Sequence, residues 1–175
     1  MPIPLVALVG YTNVGKSALF NALTKSEVTT ENKLFATLDP TQRRFFLEHP
    51  KEVDYTNYYQ HQTILIDTVG FIRELPEELL NAFRATLEEI SNANLLLHVL
   101  DASDENLAQS HSAVKQQLTD AGLGEIPCLN VLNKIDLIDS ELVQQLVNDF
   151  NAIPVSAIKG KGFVELRKLV ADTLR

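Results

Sequence analysis

Residues 10–17 read Gly10-Tyr11-Thr12-Asn13-Val14-Gly15-Lys16-Ser17, which has the spacing of a phosphate-binding loop. An apolar run at residues 5–9 comes before this loop, and the helical pattern of residues 17–24 follows it. The glycines let the backbone wrap closely, so that amides and the helix N-terminus point at phosphate oxygens. Lys16 would bring a positive charge to the outer phosphates, and Ser17 would offer its hydroxyl to a magnesium ion. A glycine-rich turn with a helix cap is the alternative, but the flanking strand and helix favour a nucleotide site.

Strand-like and helical stretches alternate along the rest of the chain. The sequence predicts strands at residues 63–67, 95–100, 127–133 and 153–155, with an edge strand at 43–47. Helices are predicted at residues 77–90, 107–121, 141–150 and 164–174. This alternation predicts an α/β fold with a mostly parallel six-stranded sheet and helices on both faces. Residues 25–41 show no sustained period and are interpreted as a switch loop.

The composition predicts one globular domain spanning residues 1–175, with 45% hydrophobic and 22% charged residues. No apolar run approaches the roughly 18 residues that span a bilayer, and no export leader is recognisable. We therefore expect no membrane association and a cytoplasmic location. The formal charge of −8 disfavours a broad electrostatic grip on nucleic acid. The single cysteine, Cys128, cannot form an internal disulfide, and its apolar neighbours predict a buried side chain.

A second phosphate-sensing element is predicted at Asp67-Thr68-Val69-Gly70, which closes an apolar strand. A carboxylate at that strand end would lie beside the phosphate loop and hold magnesium through its waters. Gly70 has no side chain to block its amide, which could bond a terminal phosphate. Thr37 is the candidate for the loop residue that closes over the metal, with Thr41 as its competitor. A simple turn after a strand is the alternative for the first element, and a turn cap for the threonines.

A base-reading element is predicted at Asn133-Lys134-Ile135-Asp136, directly after an apolar strand. The Asp136 carboxylate can accept hydrogen bonds from both the ring N–H and the exocyclic amine of guanine, whereas adenine offers no such pair. Because an unpaired buried carboxylate is costly, such a site can reject the wrong base by about 10⁴ or more. The Lys134 stem could lie along the base, and Asn133 could tie the loop to its surroundings. The backbone amides of Ser156 and Ala157 could bond the guanine carbonyl oxygen.

These elements together predict a site for GTP or GDP with Mg²⁺. The predicted catalytic residues are Lys16, Thr37 and Gly70, and the predicted magnesium ligands are Ser17, Thr37 and Asp67. The predicted nucleotide contacts are Gly10, Tyr11, Thr12, Asn13, Val14, Gly15, Lys16, Ser17, Ala18, Phe35, Thr37, Asp67, Thr68, Val69, Gly70, Asn133, Lys134, Asp136, Ser156, Ala157 and Ile158.

With these motifs in place, the chain resembles the GTPase domain of the HflX family, a group of translation-factor-related GTPases. The resemblance rests on residues 10–21, 33–41, 67–73, 75–76, 83–89 and 97–103. It covers most of the first 103 residues, and the second half matches mainly through residues 133–136 and 155–157, which GTPases share generally. The resemblance implies a P-loop NTPase G domain, here without the flanking domains of the full-length protein. It further implies a bacterial factor that binds the large ribosomal subunit and splits ribosomes, with an N-terminal domain supplying much of the RNA contact. We expect the domain itself to be a monomer.

Hydrolysis is predicted to be slow without a partner, because Phe71 stands where many GTPases carry a water-orienting glutamine. Arg43, Arg44 and Arg73 are conceivable internal charge donors, but structural or solvated roles are the simpler interpretation. His98 lies in an apolar strand and is interpreted as a satisfied core residue rather than a base. The helix at residues 77–90 directly follows the second phosphate sensor, so small shifts at Gly70 could move it against partners.

Three competing interpretations remain at the level of sequence. A phosphate-loop kinase would have no reason to carry Asn-Lys-x-Asp. A binding module that holds GTP without turnover is compatible with Phe71. Another ribosome-associated GTPase of the Obg or Era groups shares the general motifs, but residues 67–73 and 83–89 favour HflX.

Overall fold

The computed structural model describes residues 2–25, 42–47, 62–68 and 80–175. Most of the predicted switch loop lies outside these ranges, and so do Phe35, Thr37 and Thr41. The same holds for Val69, Gly70, Phe71 and Arg73, and for the first residues of the predicted helix at 77–90. The expectations for these residues stay predictions.

Within the described residues, six strands form one α/β sheet: β1 (Leu5–Val9), β2 (Gln42–Phe46), β3 (Gln62–Asp67), β4 (Leu95–Asp101), β5 (Cys128–Asn133) and β6 (Ala152–Pro154). The strand order is β2-β3-β1-β4-β5-β6. Only β2 runs antiparallel to its neighbour in this sheet, β3, and the other described pairs are parallel. The predicted mostly parallel six-stranded sheet is therefore confirmed.

Five helices in the described ranges cover the sheet: α1 (Lys16–Lys25), α2 (Leu80–Ser91), α3 (Leu107–Asp120), α4 (Ser140–Phe150) and α5 (Phe163–Leu174). On one face, Leu19 of α1 and Leu166 of α5 are fully buried in the same core cluster. On the opposite face, Ile90 of α2 and Val114 of α3 are fully buried in a second cluster. A smaller third cluster includes α4, which is packed there through Phe150 and other partly buried side chains. Helices on both faces were predicted, and this is confirmed.

The central strand β4 shows why the sheet forms around it. Its sequence is an almost continuous apolar run, and six of its seven residues are buried. Such a run is typical of a parallel strand covered by helices on both faces. Its neighbours β1 and β5 pair with it in register, so that Val9 lies opposite His98 and Asn133 opposite Asp101. The carboxyl ends of β1, β4 and β5 therefore meet at one edge, where ligands bind in open α/β sheets.

Particular residues define where helices α4 and α5 begin or end. The Asp139 side chain accepts a hydrogen bond of 2.8 Å from the Leu142 amide, which defines the start of α4. Asn151 adopts a left-handed conformation and ends the same helix. Gly162, with φ of 84°, precedes α5. None of the helices in the described part of the chain is long and apolar enough to cross a membrane.

Two expectations about single residues need correction. Cys128 is exposed rather than buried, because it is the first residue of β5, whose burial increases only toward its carboxyl end. His98 is buried, as predicted, but its Nδ1 atom has no hydrogen-bond partner among the described residues. Its ring instead stacks on His111, with 5.1 Å between the ring centroids. Burial, followed by the charges of His111 and Lys115, lowers the pKa of His98 to about 3, so this core residue is neutral but not satisfied.

Candidate nucleotide-binding site

The phosphate loop connects β1 to α1 through backbone that only particular residues tolerate. A Cβ atom added at Gly10 would lie 2.6 Å from the Val99 carbonyl oxygen, so the loop can start here only with glycine. Gly15 has φ of +91°, and Asn13 is left-handed with φ of 66°. The first helical bond then runs from the Leu19 amide to the Gly15 carbonyl at 2.9 Å. The predicted strand–loop–helix context of this motif is confirmed.

Lys16 lies inside the loop with only 7% of its surface exposed. Its Nζ donates to the Tyr11 carbonyl at 3.4 Å, a long and therefore weak hydrogen bond. Burial lowers the pKa of Lys16, while the nearby charge of Asp67 acts in the opposite direction. A buried ammonium group whose hydrogen bond to the described residues is weak favours an anionic ligand such as a phosphate.

Ser17 and Asp67 meet beside the loop. The Ser17 hydroxyl donates to Asp67 Oδ2 at 2.7 Å, and the other carboxylate oxygen, Oδ1, is buried without a hydrogen-bond partner among the described residues. The next residue, Thr68, donates through its hydroxyl to the Leu8 carbonyl at 2.6 Å, which fixes the end of β3 against β1. A hydroxyl beside a carboxylate with a free oxygen is a donor set suited to magnesium, which prefers oxygen ligands. Both residues therefore fit the predicted metal.

The base-reading loop after β5 is bonded to the phosphate loop through Asn133, which is only 2% exposed. Its side-chain Nδ2 donates to the Val14 carbonyl at 3.0 Å, and its Oδ1 accepts from the Ala157 amide at 3.1 Å. One amide side chain thus links the phosphate loop to the segment after β6. The predicted tying role of Asn133 is confirmed, but the Ala157 amide is engaged by it and would have to be shared with a guanine carbonyl oxygen.

Lys134 also reaches the phosphate loop. Its backbone is left-handed, with φ of 66°, and its Nζ donates to the Asn13 carbonyl at 2.6 Å. The side chain therefore extends from the base-reading loop toward the phosphate loop, and its position along a base stays a prediction.

Asp136 lies in a 3-10 turn, Ile135–Leu137, at the same edge. The hydroxyl of Ser156, which is fully buried, donates to Asp136 Oδ1 at 2.7 Å. The same Ser156 oxygen accepts from the Lys159 amide at 3.1 Å. Ser156 thus orients the carboxylate that is predicted to read guanine, a contribution of its side chain that the sequence did not indicate.

The remaining predicted contacts are distributed around this edge. Tyr11 packs partly buried against the core, and Thr12 and Ala18 are exposed. Ile158 is 79% exposed just beyond the Ser156–Ala157 segment. The four predicted segments that the structure describes, in whole or in part, therefore converge at the carboxyl ends of β1, β3, β5 and β6.

The two described arginine candidates have structural partners. Arg43 donates to Asn21 Oδ1 at 2.9 Å and lies 5.1 Å over the Phe20 ring. Arg44 donates to Gln62 Oε1 at 2.8 Å. These contacts support the structural interpretation of both residues.

Asp101, the last residue of β4, belongs to residues 97–103 of the family resemblance, but no role at the site was predicted for it. Its Oδ2 atom lies 2.9 Å from Lys134 Nζ. A partial signal was available, because Asp101 directly follows an apolar run, and the carboxyl ends of parallel strands meet at one edge of a sheet. The position of β4 between β1 and β5 is a finding of the structure.

A solved structure has a similar fold. A GTP-binding protein from the hyperthermophilic archaeon Sulfolobus solfataricus, in complex with GDP, matches with a TM-score of 0.70 and 29% identity. The match covers 98% of this chain and 52% of that one. The fold and the site together define a P-loop GTPase domain.

The chain belongs to the family of 50S ribosome-binding GTPases, whose pattern matches residues 5–134, and within it to the HflX type. It is 42% identical over 175 residues to GTPase HflX of Escherichia coli, covering 98% of this chain and 39% of that protein. It is 50% identical over 137 residues to GTPase HflX of Caldanaerobacter subterraneus subsp. tengcongensis, covering 78% of this chain and 30% of that protein. The chain thus spans well under half the length of these curated relatives.

Proposed function

We propose that this domain is the GTP-driven switch of an HflX-type factor that acts on the large ribosomal subunit. The main support for nucleotide binding is the hydrogen bond from Asn133 Nδ2 to the Val14 carbonyl, at 3.0 Å. It holds the base-reading loop against the phosphate loop, so that one guanine nucleotide can contact both.

In this proposal Asp136 accepts hydrogen bonds from guanine, and Ser156 holds its carboxylate in place. The Lys134 stem lies along the base. The loop amides and Lys16 bind the phosphates and stabilise the charge that develops on them during transfer to water. Thr37 and Gly70, outside the described residues, are proposed to contact the metal and the terminal phosphate.

Magnesium is proposed to be held by Ser17, Asp67 and Thr37. When bound, it neutralises charge on the phosphate oxygens. The Oδ1 atom of Asp67 is buried and has no hydrogen-bond partner in the part of the chain that the structure describes, which supports this assignment.

Hydrolysis by the domain is proposed to be slow until a partner completes the site. Phe71 has no group that can orient the attacking water, whereas positioning of that water is a large part of phosphoryl-transfer catalysis. A domain that holds GTP without turnover is the second candidate, and Phe71 is also what favours it. Phosphate release followed over hours in excess GTP separates the two, because a holding module releases none.

The ribosomal role is supported by the family to which the chain belongs and by the relatives named GTPase HflX. The net charge of −8 means that RNA contact has to be local or supplied by other parts of the full-length protein. Subunit splitting and a cytoplasmic location are proposed for that full-length protein, and a monomeric state for the domain.

Single-turnover GTP hydrolysis tests the proposal, with the domain and the full-length protein each assayed alone and with purified large or small subunits. We expect slow hydrolysis in both isolated forms and stimulation of the full-length protein by large subunits only. Fast hydrolysis without ribosomal subunits would contradict the proposal that a partner is needed to complete the catalytic site. Equal stimulation by the two subunits would contradict the assignment to the large subunit, and no stimulation by either would contradict the ribosomal role, while both outcomes leave guanine binding untouched.

A further inference from the structure

Asp101 lies where three parts of the site meet. It ends β4, the strand between β1, which leads into the phosphate loop, and β5, which leads into the base-reading loop. It lies opposite Asn133 in the register of β4 and β5, and the Ala102 amide donates to the Asn133 carbonyl at 2.9 Å. The Asp101 carboxylate therefore sits next to the base-reading loop because of the strand order.

We propose that Asp101 is a positioning residue for guanine-nucleotide binding: it holds the Lys134 ammonium group in the place where that group also bonds the phosphate loop. In this way Asp101 fixes the Lys134 stem for the base and slows nucleotide release. The inference rests on the proposed role of Lys134 at the base.

The Lys134 ammonium group has two acceptors on different elements. Asp101 Oδ2 lies 2.9 Å from Nζ, and the Asn13 carbonyl oxygen lies 2.6 Å from it. Asp101 thus supplies the charged partner of a bridge whose other end is the phosphate loop. The left-handed backbone of Lys134 is a conformation that residues other than glycine adopt only at a cost. The two side-chain contacts of Lys134 act together with the backbone hydrogen bonds of this loop, such as that from the Leu137 amide to the Lys134 carbonyl at 3.0 Å, to hold the residue in this arrangement.

The carboxylate is itself held in one orientation. Its Oδ1 accepts from the Ser103 amide at 2.9 Å and from the Ser103 hydroxyl at 2.6 Å, which leaves Oδ2 directed to Lys134. Burial alone would raise the pKa of Asp101, but the hydrogen bonds from Ser103 and Lys134 and the Lys134 charge together lower it. The group is consequently ionised at neutral pH and oriented before a nucleotide arrives.

The simpler interpretation is that Asp101 only caps the turn after β4, since it accepts two hydrogen bonds from Ser103. A cap would act on the fold whether or not Lys134 is present. A positioning residue acts through Lys134, and the two cases differ in a double-mutant cycle.

The experiment measures dissociation of fluorescent GDP from this domain by stopped flow, in Asp101→Asn, Lys134→Ala and the double variant. We expect Asp101→Asn to speed dissociation about tenfold, since a charge-assisted bond at a partly exposed site is lost. In the Lys134→Ala background the same change should have no further effect. Asp104→Asn is the matched control, because Asp104 bonds Asn106 and Ser110 rather than Lys134, and it should leave dissociation unchanged.

Ser103→Ala provides a second test that keeps the charge. Losing the 2.6 Å bond to Oδ1 loosens the carboxylate, so we expect dissociation roughly two- to threefold faster, again only while Lys134 is present. If either Asp101→Asn or Ser103→Ala acts equally with and without Lys134, or lowers only the melting temperature of the nucleotide-free domain, the proposal is overturned. Failure of the wild-type domain to bind GDP would instead overturn the proposed guanine site.

Discussion

The base side and the phosphate side of the nucleotide site differ in how well the protein itself provides hydrogen bonds for their polar groups. On the base side, Asn133 bonds the phosphate loop and the Ala157 amide, and Asp136 is held by Ser156. On the phosphate side, Lys16 has a hydrogen bond of 3.4 Å to Tyr11, and Asp67 Oδ1 is buried without a partner in the described ranges. The base side is thus organised by folding, whereas the phosphate side presents charges that a ligand and a metal would complete.

This difference matches the chemistry of a nucleotide. Guanine is neutral, and a site selects it by donors and acceptors already in place. The phosphates and magnesium carry the charge and can order groups around themselves. We therefore expect changes on the base side to alter which nucleotide binds, and changes on the phosphate side to alter the dependence on metal.

Gly15 lies where the two sides touch, so its substitution should have the largest effect. A Cβ atom there would collide with the Asn133 side chain, and the φ of +91° is strained for any other residue. We expect Gly15→Ala to weaken GDP binding roughly a thousandfold, as measured by fluorescence titration, because both sides are displaced. Gly122→Ala is the control. Its φ is +79°, but no described residue other than its chain neighbours lies within 4 Å of the added atom, so the change should lower stability and leave affinity intact. Equal affinities for the two variants would contradict the contact between the sides.

Asp136→Asn tests the base side alone. The change replaces an acceptor by a group that can also donate, so GDP affinity should fall roughly a hundredfold and the preference over ADP should shrink. Xanthosine diphosphate carries a carbonyl where guanine carries its amine, and it should bind the variant better than GDP. Asp139→Asn is a nearby control, because asparagine caps helices as well as aspartate does. If wild type binds ADP and GDP equally, the base-reading assignment is wrong.

Ser17→Ala tests the phosphate side. Its hydroxyl, now bonded to Asp67 at 2.7 Å, is proposed as a magnesium ligand. We expect about tenfold more Mg²⁺ to be needed for tight GDP binding, with little change in the preference of guanine over adenine. Nucleotide titrations at a series of Mg²⁺ concentrations measure both quantities. A change in base preference with an unchanged metal requirement would reverse the division between the two sides.

The sequence predicts the fold and much of the site because the relevant signals are local. Residues 10–17 carry their own strand, loop and helix, and the segments around Asn133 and Ser156 follow apolar runs. The alternation of strands and helices predicts a parallel sheet, and parallel strands bring these segments to one edge. Where the helix and strand bounds can be compared with the predictions, they agree or differ by one residue.

The features that the sequence did not predict depend on the order of the strands in the sheet and on how burial changes along a strand. The contact of Asp101 with Lys134 joins residues 33 positions apart and arises because β4 lies between β1 and β5. Cys128 has apolar neighbours in sequence, but its place at the start of β5 leaves it exposed. His98 follows the apolar pattern of its strand, which says nothing about whether its ring finds a hydrogen-bond partner.

Substitution of His98 should have the smallest effect on nucleotide binding. It should have a measurable effect on the pH dependence of the free energy of unfolding. His98 is 1% exposed on β4, outside both sides of the site, and its pKa is lowered to about 3. As pH falls below about 6.5, the unfolded chain gains a proton at this residue that the native state does not, so stability declines toward pH 3. The slope approaches about 1.4 kcal/mol per pH unit for this residue.

Urea unfolding of the wild type and of His98→Leu at pH 7 and pH 5 measures this contribution. We expect the wild type to lose about 2 kcal/mol more than the variant over that interval, while GDP affinity at pH 7 is the same in both. Equal pH dependence would mean that His98 is protonated within the fold. A changed GDP affinity would mean that the buried part of β4 influences the site at the carboxyl end of that strand. The base side and the phosphate side would then depend on how the sheet is packed.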